Sequence, residues 1–319
     1  MFRVLLTILT SLTLTFTSIS STPYKVAIAN LGPHQSLLDI IHGIETKSKE
    51  LGLDIQFDIH HINFDMTQIP KMLTAFKAKK PDVIITLTTS ISQHAKAIFK
   101  DTAIPILFAA VTDPVEANLL NLPNQSCGNI TGVSDKQDAA SIIKFIKHTL
   151  PLAKRIGIPY AQNEANDRAL LKSFQTAANS FPGLKIIPIP IDSLQDLPHR
   201  IRATIPLVDA LYVGPSNMIQ PALPIIIQQA NRSKLPIFNF NEAAVTAHQA
   251  FASFSVNYVK LGYATTVILK QLIDKIPLAD IPPFYPTAKD HYGTISLRVA
   301  KKLGISLPTS STSNITYIK

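Results

Sequence analysis

One cysteine, Cys127, is present in 319 residues. It has no partner for an internal disulfide, and no sulfur-rich metal cluster can form around it. So low a cysteine content suits a chain that works in an oxidising compartment. Glycine is also scarce, at 11 residues. Neither G-x-G-x-x-G nor G-x-x-x-x-G-K-[ST] occurs, so the turns that seat a dinucleotide or a nucleoside triphosphate are missing. G-x-S-x-G is absent, and with it the elbow that exposes a serine nucleophile. There is no H-E-x-x-H. The adjacent His60 and His61 point to opposite faces of a strand and cannot share one metal. No nucleophile–base pair is legible. The expectation is a protein without catalytic residues, metal or cofactor.

Charge of either sign is modest. Charged residues make up 16% and hydrophobic ones 46%, which excludes a disordered chain and allows a large core. Lys plus Arg is 30 against 21 Asp plus Glu, a net charge of +9. The basic residues are scattered apart from two short groups, Lys77, Lys79 and Lys80, and Lys301 and Lys302. No basic patch interleaved with aromatics appears, so a nucleic-acid partner is not expected. The chain starts differently from the rest. Arg3 precedes an uncharged run from Val4 to Phe16, and small polar residues, Thr17 to Ser21, follow. This is the pattern of a secretory signal peptide over 1–21. The run is shorter than the ~20 residues needed to span a bilayer. With no cysteine near the expected cut, a periplasmic or extracellular protein without a lipid anchor is expected.

After this leader, short Val- and Ile-rich runs alternate with longer amphipathic ones. Strands are predicted at 25–30, 54–60, 83–87, 106–110, 155–159, 185–191, 210–213, 237–240 and 250–256. Helices are predicted at 35–51, 67–79, 91–100, 136–149, 166–180, 194–205, 219–233 and 259–276, with a short strand and helix ending near Gly304. Most of the strand runs are continuously apolar, as strands covered on both faces must be. In 166–180, Leu170, Leu171, Phe174, Ala177 and Ala178 share one face, and Arg168, Lys172 and Gln175 take the other. The alternation runs twice, over about 25–133 and 154–240. That gives two doubly wound parallel sheets facing each other across a cleft. The Ser/Thr-rich end, 309–319, reads as a loose tail.

Open sheets of this kind bind ligands outside the carboxyl ends of their strands. Neutral hydroxyls and amides dominate those ends, with one histidine and two acids among them: His34 after the first strand, Thr89 and Ser90, Thr112 and Asp113, Glu164 and Asn166, Ser216 and Asn217, and Asn241. Such groups exchange hydrogen bonds with a solute without the reactive base that turnover needs. Helix N-termini at the same edge offer N–H groups to an anion. Each of these residues also suits an ordinary helix cap or turn.

The segments Phe108–Val115, Gly128–Ser134, Leu150–Gly157, Asn163–Asn166, Val208–Val213 and Ala300–Ile305 together resemble the ABC transporter substrate-binding proteins that include tryptophan- and tyrosine-binding members. The resemblance implies a type I periplasmic-binding fold. Its lobes would be 24–133 plus 250–283 and 134–249 plus 284–308, joined by three crossovers near 131–135, 249–256 and 283–296. It implies a monomer that captures a small-molecule ligand by hinge closure and hands it to a permease with its ATPase. Family members that take aromatic amino acids commonly carry an acidic residue where this chain has Asn241, beside Glu242. An amide is a weaker partner for an ammonium than a carboxylate. Two other roles suit such a chain: a ligand sensor for a membrane signalling partner, and an exported α/β hydrolase.

Overall fold

The structure, a computed structural model, describes residues 22–308 and 314–319. The expected leader and residues 309–313 lie outside the described residues. The first half contains β1 (Tyr24–Asn30), α1 (Gln35–Glu50), β2 (Ile55–His61), α2 (Ile69–Lys79), β3 (Val83–Leu87), α3 (Thr89–Ile98), β4 (Ile106–Val111) and β5 (Ile130–Ser134). The five strands form one parallel sheet in the order β2-β1-β3-β4-β5. Every residue of β3, β4 and β5 is buried, which is why these strands are mostly apolar.

The second half continues with α4 (Ala139–Thr149), β6 (Arg155–Ala161), α5 (Ala165–Ala178), β7 (Lys185–Ile191), α6 (Leu197–Thr204), β8 (Ala210–Val213), α7 (Leu223–Arg232), β9 (Ile237–Asn239), α8 (Ala243–Thr246) and β10 (Ala252–Val256). It closes with α9 (Tyr258–Ile273), β11 (His291–Ser296), α10 (Leu297–Leu303) and β12 (Ile315–Ile318). The second sheet has the order β12-β11-β10-β9-β8-β6-β7. Its first five strands in chain order repeat the 2-1-3-4-5 winding of the first sheet. Among the described strands, the pair β10–β11 alone is antiparallel. Pro188 and Pro190 sit in β7, where the missing N–H groups are tolerated because β7 is the sheet's edge. The α/β fold of two wound lobes is therefore as expected.

Three details differ from the sequence expectations. β5 completes the first sheet, where the sequence suggested only a crossing. β10 bonds to β9 and β11, so 252–256 belongs to the second sheet and not to the first lobe. The chain returns to the first lobe one step later, through α9. The tail is not loose at 315–318, because β12 pairs in parallel with β11 from Gly293↔Ile315 to Ser296↔Ile318.

α9 docks on α1 at two glycines. A Cβ on Gly43 would lie 2.3 Å from the Val259 carbonyl oxygen, and one on Gly262 would lie 2.3 Å from that of Ile40. The backbones approach too closely for any side chain. The apolar core runs from the first sheet through Phe145 and Phe174 into the second lobe, and a second cluster fills the space around β7, α6 and α7.

The three crossings are tied together. Thr131 donates its hydroxyl to the Ile281 carbonyl at 3.0 Å. Ser134 and Phe284 pair across the same edge, with Ser134 N–H donating to the Phe284 carbonyl and Phe284 N–H to that of Gly132. Tyr258 donates to Asp135 at 2.9 Å. Each winding has its switch point where strand order reverses, between β1 and β3 and between β6 and β8. The loops leaving those strands face each other.

Candidate functional site

The facing loops line a narrow cleft between the two sheets, with a volume of about 40 Å³. Its walls come from both sheets. His34, Phe64, Thr88, Thr89 and Asp135 come from the first-lobe side, and Ser216, Asn217, Gln220 and Phe240 from the second. The His34 and Phe240 rings stack at 5.8 Å between centroids and 14° between planes. Phe240 meets Tyr258 edge-on at 5.8 Å.

His34 precedes α1 and accepts or donates at Nδ1 to Ser36 Oγ, 2.7 Å away. Burial holds its pKa below the ordinary value, against smaller opposing effects of Gln220 and Asp39. The ring is therefore neutral at pH 7 and offers a flat, uncharged face.

Thr88 precedes α3 with φ 84° and ψ 159°, a region that a β-branched residue rarely enters. Its hydroxyl is buried and makes no hydrogen bond among the described residues. Strain of this kind persists only where the surroundings over-determine it. The result is an unused hydroxyl at the positive end of a 10-residue helix, inside the cleft.

Asp135 follows β5 at the first crossing. It is 2% exposed and lines the cleft. Its Oδ1 accepts from the Thr112 hydroxyl at 3.1 Å and its Oδ2 from Tyr258 at 2.9 Å. No salt bridge among the described residues reaches it. Burial pushes its pKa up to about 6, although both hydroxyls pull it down. Burial and the Asp135 charge also raise Tyr258 and Tyr212. At neutral pH the cleft thus holds a buried carboxylate with no cationic side chain paired to it among the described residues.

The family model for "ABC transporter substrate binding protein" matches residues 25–314. The chain belongs to this family. This substrate-binding protein is 29% identical over 299 residues to a tyrosine-binding protein of Clostridioides difficile, covering 92% of this chain and 84% of the relative. A domain from Streptococcus pneumoniae in complex with L-Trp superposes with a TM-score of 0.84 at 27% identity, covering 92% and 99% of the two chains. A ligand-free, open substrate-binding protein from Clostridium difficile gives 0.71 at 26% identity, covering 93% and 99%. Identity is nearly equal in these two comparisons, so the difference in score lies in shape. The overall shape of this binding protein is thus nearer to that of the L-Trp-bound neighbour than to that of the open one.

The structure sorts the sequence-predicted residues of the binding protein into three groups. His34, Thr89, Ser216 and Asn217 line the cleft. Ser90, Thr112, Glu164 and Asn166 stand just behind it. Ser90 Oγ accepts from Asn217 Nδ2 at 3.1 Å, and Thr112 supports Asp135. Glu164 and Asn166 are held under the loop that carries Asn217. Asp113 and Asn241 are not brought to the cleft. Asp113 Oδ1 accepts the N–H groups of Val115 and Glu116 in its own turn, at 3.0 Å each. Asn241 Oδ1 accepts the Ala243 N–H at 2.8 Å and starts α8. In both, local capping uses the oxygen that a ligand would need.

Sequence reasoning missed Asp135, Thr88, Phe64, Gln220, Phe240 and Tyr258. For Asp135 a signal existed, since an acid directly ends the wholly buried stretch Ile130–Ser134. Tyr258 carries no such mark, because its partner lies 123 residues away.

Proposed function

We propose that this protein is the exported capture component of an ABC importer, and that its cargo is a free α-amino acid with an aromatic side chain. The observation that carries the reading is Asp135, a cleft carboxylate that accepts two hydroxyls and has no cation among the described residues. An ammonium is the group that would complete it, and such a charge-assisted bond is stronger than one between neutral groups. The ligand's carboxylate would sit at the start of α3, with the Thr88 and Thr89 hydroxyls and the free N–H groups of the helix. Its ring would lie among Phe64, His34 and Phe240, whose flat faces favour another π-system. In this reading Asp135 takes the role that the family resemblance gives to an acid at position 241. A tyrosine-binding relative and a tryptophan-bound neighbour support the same cargo class. The leader pattern supports export to the periplasm or the extracellular face, where a monomer would meet a permease with its ATPase.

Calorimetric titration tests this. L-tyrosine, L-tryptophan and L-phenylalanine are compared with tyramine, which lacks the carboxylate, and with 3-(4-hydroxyphenyl)propionate, which lacks the amine. At least one amino acid binds with a Kd of about 1 μM or tighter, near −8 kcal/mol. Loss of either charged group weakens binding about 10- to 150-fold. A desamino analogue that binds as tightly as the amino acid removes Asp135 from the site. Release of any ligand chemically altered would overturn the transport role.

A further inference from the structure

Glu164 is an unusual buried acid. It is 9% exposed, and its neighbour Asp167 is 2% exposed. The Asn166 side-chain N–H₂ donates to both carboxylates, at 3.1 Å each. No salt bridge among the described residues reaches either acid. Burial raises the pKa of each, and for Asp167 the Glu164 charge adds to this. Two acids so placed are unfavourable unless their oxygens are well used. Those of Asp167 have local work, since Oδ2 accepts the Ala161 N–H at 2.6 Å.

The oxygens of Glu164 reach a different segment. Oε2 accepts the Asn217 N–H and Oε1 the Met218 N–H, both at 2.9 Å. Asn166 holds the same loop at the Pro215 carbonyl, 3.2 Å away. The loop between β8 and α7 is therefore pinned from behind at three residues. From its front, Asn217 reaches across 127 residues of sequence to Ser90, in the first turn of α3. Ser90 belongs to the first lobe and Asn217 to the second.

We infer that Glu164 is a positioning residue for lobe closure: it fixes the loop so that Asn217 latches the second lobe onto Ser90 beside the bound solute. The inference rests on the proposed capture role. It does not depend on which solute is captured. The latch forms as the lobes meet, so it slows ligand escape more than it speeds entry. Glu164 touches no ligand and acts only through the loop.

The experiment uses four variants of the whole secreted protein: Glu164→Gln, Ser90→Ala, Asn217→Ala and the Glu164→Gln/Ser90→Ala double variant. Glutamine keeps the volume but can accept only one of the two N–H bonds. Amide hydrogen exchange in the free protein is the first readout. Exchange at Asn217 and Met218 rises in Glu164→Gln and stays at the wild-type rate in Ser90→Ala. Small-angle scattering shows a larger free-protein radius of gyration in all four. Stopped-flow with L-tyrosine is the third readout. The off-rate rises about three- to tenfold in each single variant, the scale of one hydrogen bond, with little change in the on-rate. The double variant releases no faster than Ser90→Ala, because both changes break one latch. An acid that merely stabilised the fold would add its effect to that of Ser90→Ala, and additivity overturns the inference. Wild-type exchange at Asn217 and Met218 in Glu164→Gln overturns it as well. If Glu164→Gln fails to fold, Glu164→Asp, one methylene too short to reach the loop, carries the same expectations. If wild type ignores L-tyrosine, L-tryptophan and L-phenylalanine alike, the cargo assignment fails, while exchange and scattering still decide the latch.

Discussion

Replacing Asp135 by Asn should make the empty protein more stable and the binding protein worse. The folded pKa of Asp135 is about 6 against an ordinary 3.8, so its charge is disfavoured in the fold by about two pH units. That corresponds to about 3 kcal/mol at neutral pH. The asparagine oxygen still accepts from one of Thr112 and Tyr258, but its N–H₂ faces the other donor, which loses about 1 kcal/mol. The net is a gain of about 2 kcal/mol, or a rise in Tm of about 3 °C for a chain of this size. The sign depends on pH. The folded pKa is raised, so this carboxyl's contribution to wild-type stability is complete below about 3.8 and is lost as pH rises through about 6. The Asp135→Asn substitution removes that slope, and its advantage disappears near pH 4. Affinity moves the other way. Wild-type affinity for L-tyrosine falls as pH drops below about 6, where Asp135 takes up a proton. The variant binds about 10- to 150-fold more weakly at pH 7.5 and lacks this dependence. Scanning calorimetry at pH 7.5 and 4.5, with titration of L-tyrosine, measures both effects. A variant with lower Tm at pH 7.5 and undiminished affinity would refute the reasoning.

Three further outcomes follow from other parts of the molecule. Thr88→Val swaps a buried, unpartnered hydroxyl for a methyl of the same shape, so Tm of the free protein rises while affinity for L-tyrosine falls about three- to tenfold; a fall in Tm would mean that the hydroxyl has a partner. Gly262→Ala, at an exposed helix position, would stabilise by about 1 kcal/mol, but here the new Cβ meets the Ile40 carbonyl at 2.3 Å and forces α1 from α9. The expected loss is about 3 kcal/mol by denaturant unfolding, and any gain would contradict the close packing. Asn241→Asp restores the acid expected from the family resemblance, yet the side-chain oxygen here accepts the Ala243 N–H just before α8 and stays out of the cleft. Affinity for L-tyrosine should change less than twofold in a titration, and a marked gain would place position 241 at the ligand.

What could be read from the sequence is what depends on local composition. A strand buried on both faces is mostly apolar, so β3, β4 and β8 announce a parallel sheet, and their spacing announces crossover helices. Two rounds of that pattern give two lobes. Polar residues at strand ends were legible for the same reason, since caps are built within a few residues of chain. Which of those residues serve a cleft was not legible. Asp113 and Thr89 both follow strands of the first sheet, yet one turns back on its own backbone and the other faces the opposite lobe. β12 was invisible because a four-residue strand after a Ser/Thr-rich stretch exists only where an edge, here β11, waits for it. Asp135 with Tyr258, and Ser90 with Asn217, are joined across 123 and 127 residues. No periodicity records such pairs. The winding order of the two sheets and the path of the three crossings bring them together, and only the tertiary structure fixes these.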